Sequence, residues 1–110
     1  MKKIIATVSF LSIAFIAPAH ADGMLDMAKQ KQCLSCHSVD KDMVGPSFKN
    51  IANRFRGLNN AQTMLQEVVM KGSSGATVHW GATKMPPSSA RVELAEVEAM
   101  MLVQWILATK

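Results

Sequence analysis

Cys33-Leu34-Ser35-Cys36-His37 is the stretch on which the reading of this chain turns. Two cysteines three positions apart lie roughly one helical turn from each other, so their sulfurs can reach one edge of a single flat ligand. The spacing is the C-x-x-C-H pattern of covalent haem attachment. It implies thioether bonds from Cys33 and Cys36 to the two vinyl groups of one porphyrin, with the His37 imidazole on the proximal face of the iron. Three fixed residues at this spacing arise by chance in so short a chain on the order of once in a thousand or less. A rival reading makes Cys33 and Cys36 a thiol-disulfide redox pair, but that chemistry belongs in a βαβ setting and no strand period is evident.

Upstream of the motif, Met1-Lys2-Lys3 is basic, the run from Ile4 to Ile16 is almost unbroken apolar sequence, and Ala19 and Ala21 match an A-x-A cleavage site. The run is shorter than the roughly 20 residues that span a bilayer as a helix. Residues 1–21 therefore read as a secretory signal peptide and 22–110 as one domain, exported and without stable membrane insertion. Cleavage removes Lys2 and Lys3, so the formal charge falls from +4 to +2. So mild a balance, with no basic run, argues against a nucleic-acid partner. The remaining 89 residues are too few for a generous apolar core, and a bound prosthetic group is the stabiliser to expect.

The mature chain reads as all-α, with about four helices. The first is expected over 23–32, with Asp22 as a candidate N-cap and Met24, Leu25 and Ala28 on one side. Gly45-Pro46-Ser47 opens a second stretch through Phe48, Ile51, Ala52 and Phe55. Ala61, Met64, Leu65, Val68 and Val69 then recur with the amphipathic period, ending near Lys71-Gly72. From Gly72 to Ser89 the Gly, Pro and Ser content predicts a long irregular loop, and loops of that length are usually functional. A last helix is expected over 93–109, with Leu94, Val97, Met101, Leu102, Trp105 and Ile106 on one face.

A second axial ligand has to come from outside the motif, and the chain holds nine methionines. Met24, Met27, Met64, Met70, Met100 and Met101 lie in helical patterns, where methionine is more often core filler than ligand. Met85 sits in the loop directly before Pro86-Pro87, whose fixed φ angles would hold the backbone and aim the thioether. It is favoured, with His79 of the same loop as the competitor.

Beyond the haem motif, Met43-Val44-Gly45-Pro46-Ser47-Phe48, Trp80-Gly81, Met85-Pro86-Pro87 and Trp105 together resemble the small bacterial class I cytochromes c of the c-551/c-552 group. The resemblance spans the mature chain and implies the class I cytochrome c fold wrapped around one covalently bound haem c. It also implies that Cys33 and Cys36 bind the haem, that His37 and Met85 are the axial iron ligands, and that the Pro46 carbonyl accepts a hydrogen bond from His37. By the same resemblance Trp80 donates to a haem propionate and Trp105 packs where the first and last helices cross. Three features depart from the group: the segment from Gly72 to Trp80 is longer, Gln32 stands where glycine is common, and Ala28 replaces an aromatic. Met24, Met27 or Met101 is expected to fill the space so left.

The function expected is that of a periplasmic, monomeric electron carrier, not an enzyme, working between protein redox partners such as a nitrite reductase, a terminal oxidase or a cytochrome c peroxidase. A haem peroxidase or gas sensor with an open iron, and the thiol-disulfide oxidoreductase, are the alternatives. Docking is expected around the haem edge, framed by Lys29 and Lys31 with Lys49 or Lys84 nearby.

Overall fold

The computed structural model describes residues 20–74 and 83–110; residues 1–19, which hold most of the expected signal peptide, and His79 and Trp80 lie outside them. Among the described residues the chain forms four α-helices, α1 (His20–Gln30), α2 (Phe48–Phe55), α3 (Ala61–Lys71) and α4 (Glu96–Leu107). Short 3-10 turns stand at Cys33–Ser35 and Ser88–Ala90, and there is no strand among these residues. α4 is the hub, packing against α1, α2 and α3 in turn.

The end of α1 explains one departure noted in the sequence. Lys31 and Gln32 close the helix through bonds from their backbone N–H groups to Met27 O at 2.9 Å and Lys29 O at 3.0 Å. Gln32 then takes the left-handed conformation, with φ 60° and ψ 20°. Helices commonly end on a left-handed residue, usually glycine, because a Cβ is penalised there. The helix thus stops at Gln30, two residues short of the expected end, and it begins at His20. Asp22 is therefore inside the helix and is not its N-cap, since the chain before it is already helical. Gln32→Gly should stabilise the folded protein by about 0.5–1 kcal/mol, the left-handed penalty less the extra entropy of glycine. At this domain size that raises the thermal midpoint by a few degrees. An unchanged or lower midpoint in a circular-dichroism melt would count against strain at this position.

α2 begins where the sequence places it, and its orphan N–H groups are all accounted for. Phe48 N donates to Ser38 O at 2.9 Å and Lys49 N to Val39 O at 3.1 Å. Asn50 N donates to the N-cap hydroxyl of Ser47 at 3.1 Å. Asp42 accepts from Ser47 N at 2.7 Å and from Asn50 Nδ2 at 2.8 Å, tying the 42–47 loop to the helix it precedes. The backbone N–H of Ser47, then the Asn50 amide, hold the Asp42 carboxyl below its usual range. A depressed carboxylate favours the folded state above the ordinary Asp value, and that contribution is lost as pH falls through the lowered one.

α4 differs from expectation at its start and on its face. It begins at Glu96, three residues late, with Glu98 Oε2 accepting from Ala95 N at 2.9 Å as half of a capping box. Leu94, buried at 3 % exposure, pins the extended entry to the helix. The buried face is Ala99, Leu102, Val103 and Ile106, whereas Val97 and Met101 are 56 % and 39 % exposed. Because α4 is apolar around most of its circumference, the period alone could not choose the face that packs. Its C-terminal carbonyls are met by Arg56, whose Nε donates to Leu107 O at 2.9 Å and whose Nη2 donates to Thr109 O.

The main core joins Met24 and Ala28 of α1 to Leu94, Ala99 and Leu102, with Met27, Val69, Met70 and Trp105 packed against it. Ala28 and Ala99 are both fully buried, so the first and last helices approach through small residues, and Met24 and Met27 occupy the space beside them. Met101 does not fill it, because it points outward. Trp105 meets Phe48 edge-on at 5.4 Å and 71°, linking this core to α2.

Candidate functional site

The 3-10 turn Cys33–Ser35 and the bonds from Cys36 N and His37 N to Cys33 O, at 3.3 and 3.0 Å, present Cys33, Cys36 and His37 to one cleft. Both cysteines stand half-buried at its wall, in no disulfide. Burial pushes the Cys33 thiol up, against a smaller opposing pull from Arg91.

His37 is fixed on three sides. Its Nδ1 lies 2.6 Å from Pro46 O. A carbonyl only accepts, so Nδ1 must carry the proton, which leaves the Nε2 lone pair for a metal. Its ring stacks on Phe48 at 5.6 Å and 25°. Burial lowers its pKa, keeping the imidazole neutral as a ligand must be. The third side is Gly45, where a Cβ would fall 2.6 Å from His37 Cε1, so only glycine admits the ring in this position. Gly45 N in turn donates to Cys36 O at 2.8 Å, closing the motif onto the loop that carries Pro46.

Across the cleft runs a strap, Met85-Pro86-Pro87, docked on the C-terminal end of α3. Ser73 holds Met85 twice: its N–H donates to Met85 O at 2.9 Å, and its buried hydroxyl accepts from Met85 N at 2.7 Å. Gly72 has φ +79°, and a Cβ there would meet Met85 O at 2.6 Å and Pro87 N at 2.8 Å. Arg91 bonds Pro86 O and Val69 O. Gly72 was visible in the sequence only as the end of a helix. Ser73 and Arg91 gave no signal, because their partners lie 12 and 22 residues away.

Cys33, Cys36, His37, Pro46 and Met85 all line this cleft, which encloses ≈ 890 Å³ including its open mouth. His37 and Met85 also border a deeper recess walled by Leu65, Val68, Leu102, Val103 and Ile106. Paired thiols, a neutral imidazole with a free nitrogen and an apolar recess fit a haem bound edge-first through the cysteines. His79 and Trp80 lie outside the described residues, so the structure does not place them.

Of the lysines expected to frame a docking surface, one is engaged within the fold. Lys31 is drawn onto α4, pairing with Glu98 at 2.9 Å and donating to Glu93 O at 3.1 Å, with its side chain only 19 % exposed. It stabilises the α1–α4 crossing and is poorly placed to meet a partner. Lys29 pairs with Asp26 at 3.7 Å and Lys49 with Asp40 at 2.5 Å. Of the four, only Lys84 lines the cleft.

Comparison with known proteins gives the family of the chain. The family model described as Cytochrome c matches residues 26–110. The chain is 34 % identical over 102 residues to cytochrome c-552 of Nitrosomonas europaea, covering 93 % of each chain. It is 37 % identical over 111 residues to cytochrome c-551 of Stutzerimonas stutzeri, covering both chains in full. The crystal structure of wild-type Nitrosomonas europaea cytochrome c552 superposes with a TM-score of 0.69 at 37 % identity, covering 78 % of this chain and 99 % of that one. With two cysteines for attachment, an all-helical fold among the described residues and relatives along its length named as cytochromes c-551 and c-552, the chain belongs to the cytochrome c family, as a small class I c-type cytochrome that transfers electrons and carries one covalently bound haem c.

Proposed function

We propose that this single-haem electron carrier works in the periplasm, exported by residues 1–21 and cleaved after Ala21, and shuttles electrons as a monomer between protein partners. No described helix is long and apolar enough to cross a membrane. The observation that carries the reading is the convergence of Cys33, Cys36, His37 and Met85 on one cleft.

In this reading Cys33 and Cys36 would attach the haem through thioethers, His37 Nε2 and the Met85 thioether would hold its iron, and Trp80 would donate to a propionate. When bound, the haem supplies one-electron chemistry at iron. The protein's part is to hold and shield. The Pro46 carbonyl sets the imidazole's tautomer and orientation. Ser73 fixes the backbone on both sides of the Met85 Cα, so the point from which the thioether reaches into the cleft is set. With His37 and Met85 both holding the iron, no position would be left for oxygen or peroxide. The apolar recess favours the less charged reduced state and excludes water.

The ligand set is tested by Met85→Ala. Wild-type protein should show the weak near-red band of methionine-ligated oxidised haem, and its reduced spectrum should be unchanged by carbon monoxide. The variant should lose the band and bind carbon monoxide. A wild-type protein without the band, or one that binds carbon monoxide, would exclude Met85 as ligand.

A further inference from the structure

Arg91 lies outside every motif of the haem site, yet its guanidinium spans two separate elements. Nε donates to Pro86 O, on the strap, at 3.1 Å, and Nη2 donates to Val69 O, in the last turn of α3, at 2.8 Å. Carbonyls of a helix's last turn have no partner within the helix. The N–H four residues beyond Val69 is that of Ser73, and it is given to Met85 O instead. The strap thus takes the donor that the helix end would have used, and Arg91 replaces it.

Arginine suits this position on two counts. Its planar fork can serve two acceptors at once, which the point charge of a lysine does not. A cation at a helix C-terminus is also favoured by the helix dipole. Half-buried in the wall of the same cleft as Cys33, His37 and Met85, the charge is screened less than one on the open surface.

We propose that Arg91 is a positioning residue of the haem site, latching the Met85 strap to α3 and, as a fixed cation in the cleft wall, raising the reduction potential. The inference rests on the reading of Met85 as axial ligand. A nearby positive charge opposes the additional positive charge of the oxidised iron, so the reduced state is favoured. Removing the latch also removes a charge-assisted hydrogen bond from each of two carbonyls, and exogenous ligands should then displace Met85 more easily.

The test uses the exported holoprotein as wild type, Arg91→Met and Arg91→Lys, with midpoint potential, the near-red band and imidazole binding to the oxidised form as readouts. Arg91→Met should lower the potential by the equivalent of about a tenfold change in the oxidation equilibrium, about 59 mV for one electron. Arg91→Lys should recover most of that shift because the charge remains. Both variants should bind imidazole about tenfold more tightly, because neither can bridge the two carbonyls. If Arg91→Met does not accumulate as holoprotein, the imidazole affinity of Arg91→Lys still decides the latch. Unchanged potential and unchanged imidazole affinity, with the near-red band present in the wild type, would overturn the role of Arg91 alone. Absence of that band from the wild type would overturn the Met85 reading and this inference with it.

Discussion

Gly72→Ala should destabilise the protein by about 2–5 kcal/mol and loosen Met85 from its site. Two costs add. An alanine in the left-handed region loses roughly 1–2 kcal/mol. Its Cβ would also stand 2.6 Å from Met85 O and 2.8 Å from Pro87 N, both backbone atoms of the strap that cannot swing aside as a side chain could. Such overpacking costs typically 1–3 kcal/mol more. Against a total stability of about 5–15 kcal/mol this is a large fraction. The strap that must move is the one bearing Met85, so the near-red band should weaken together with stability. Gly57→Ala is the control: a Cβ there meets nothing within 4 Å and its φ is not positive, so the change should be nearly neutral. Equal effects of the two substitutions in denaturant titrations would show that the strap does not depend on the close approach at Gly72.

The haem-free chain should be largely unfolded. Haem contact in this fold is not confined to a surface patch. The cleft and the recess behind it reach Phe48 and Ile51 of α2, Leu65 and Val68 of α3, and Leu102, Val103 and Ile106 of α4. Without a ligand those side chains border empty space or water, so three of the four helices lose a shared packing partner. What is left is the Met24, Ala28, Leu94, Ala99 and Leu102 cluster, a small core built partly of alanine. A domain of this size has little reserve with which to absorb the loss. Coupled binding and folding is the expected consequence. Cys33→Ala/Cys36→Ala, which removes both attachment points, should show little helical signal in far-ultraviolet circular dichroism. Near-native helicity in that variant would mean that the protein scaffold stands alone and the haem is only a passenger.

The two expectations separate the roles of the parts. Gly72, Ser73 and Arg91 position the strap on an assembled scaffold, whereas the haem makes that scaffold worth assembling. Their failures would look different, one as a ligand change in a folded protein and the other as loss of the fold.

Much of this architecture was legible before any coordinates. The C-x-x-C-H run named the cofactor, because its chemistry needs only residues within one turn of each other. α3 matched its expected span over 61–71, since its apolar residues keep one period and Gly72 ends it. α2 followed from Gly45-Pro46-Ser47 as its opening and the three- and four-residue apolar spacing after it, whereas the capping role of the Ser47 hydroxyl was seen only in the structure. The choice of Met85 as candidate ligand came from the two prolines beside it, again a local property.

Tertiary structure decided the rest, and for one physical reason: these features arise between segments distant in the chain. Which face of α4 is buried depended on where α1, α2 and α3 stand around it, because an all-round apolar helix carries no preference of its own. Lys31 turned from a docking residue into an ion-pair partner once α4 brought Glu98 to within 2.9 Å. Gln32 and Gly72 owe their left-handed backbones to the turns the chain must make, and Ser73 and Arg91 acquire roles only when the strap folds back over α3. Local chemistry determined what this chain binds; the packing of distant segments determined how firmly, and in what electrostatic surroundings, the binding residues are held.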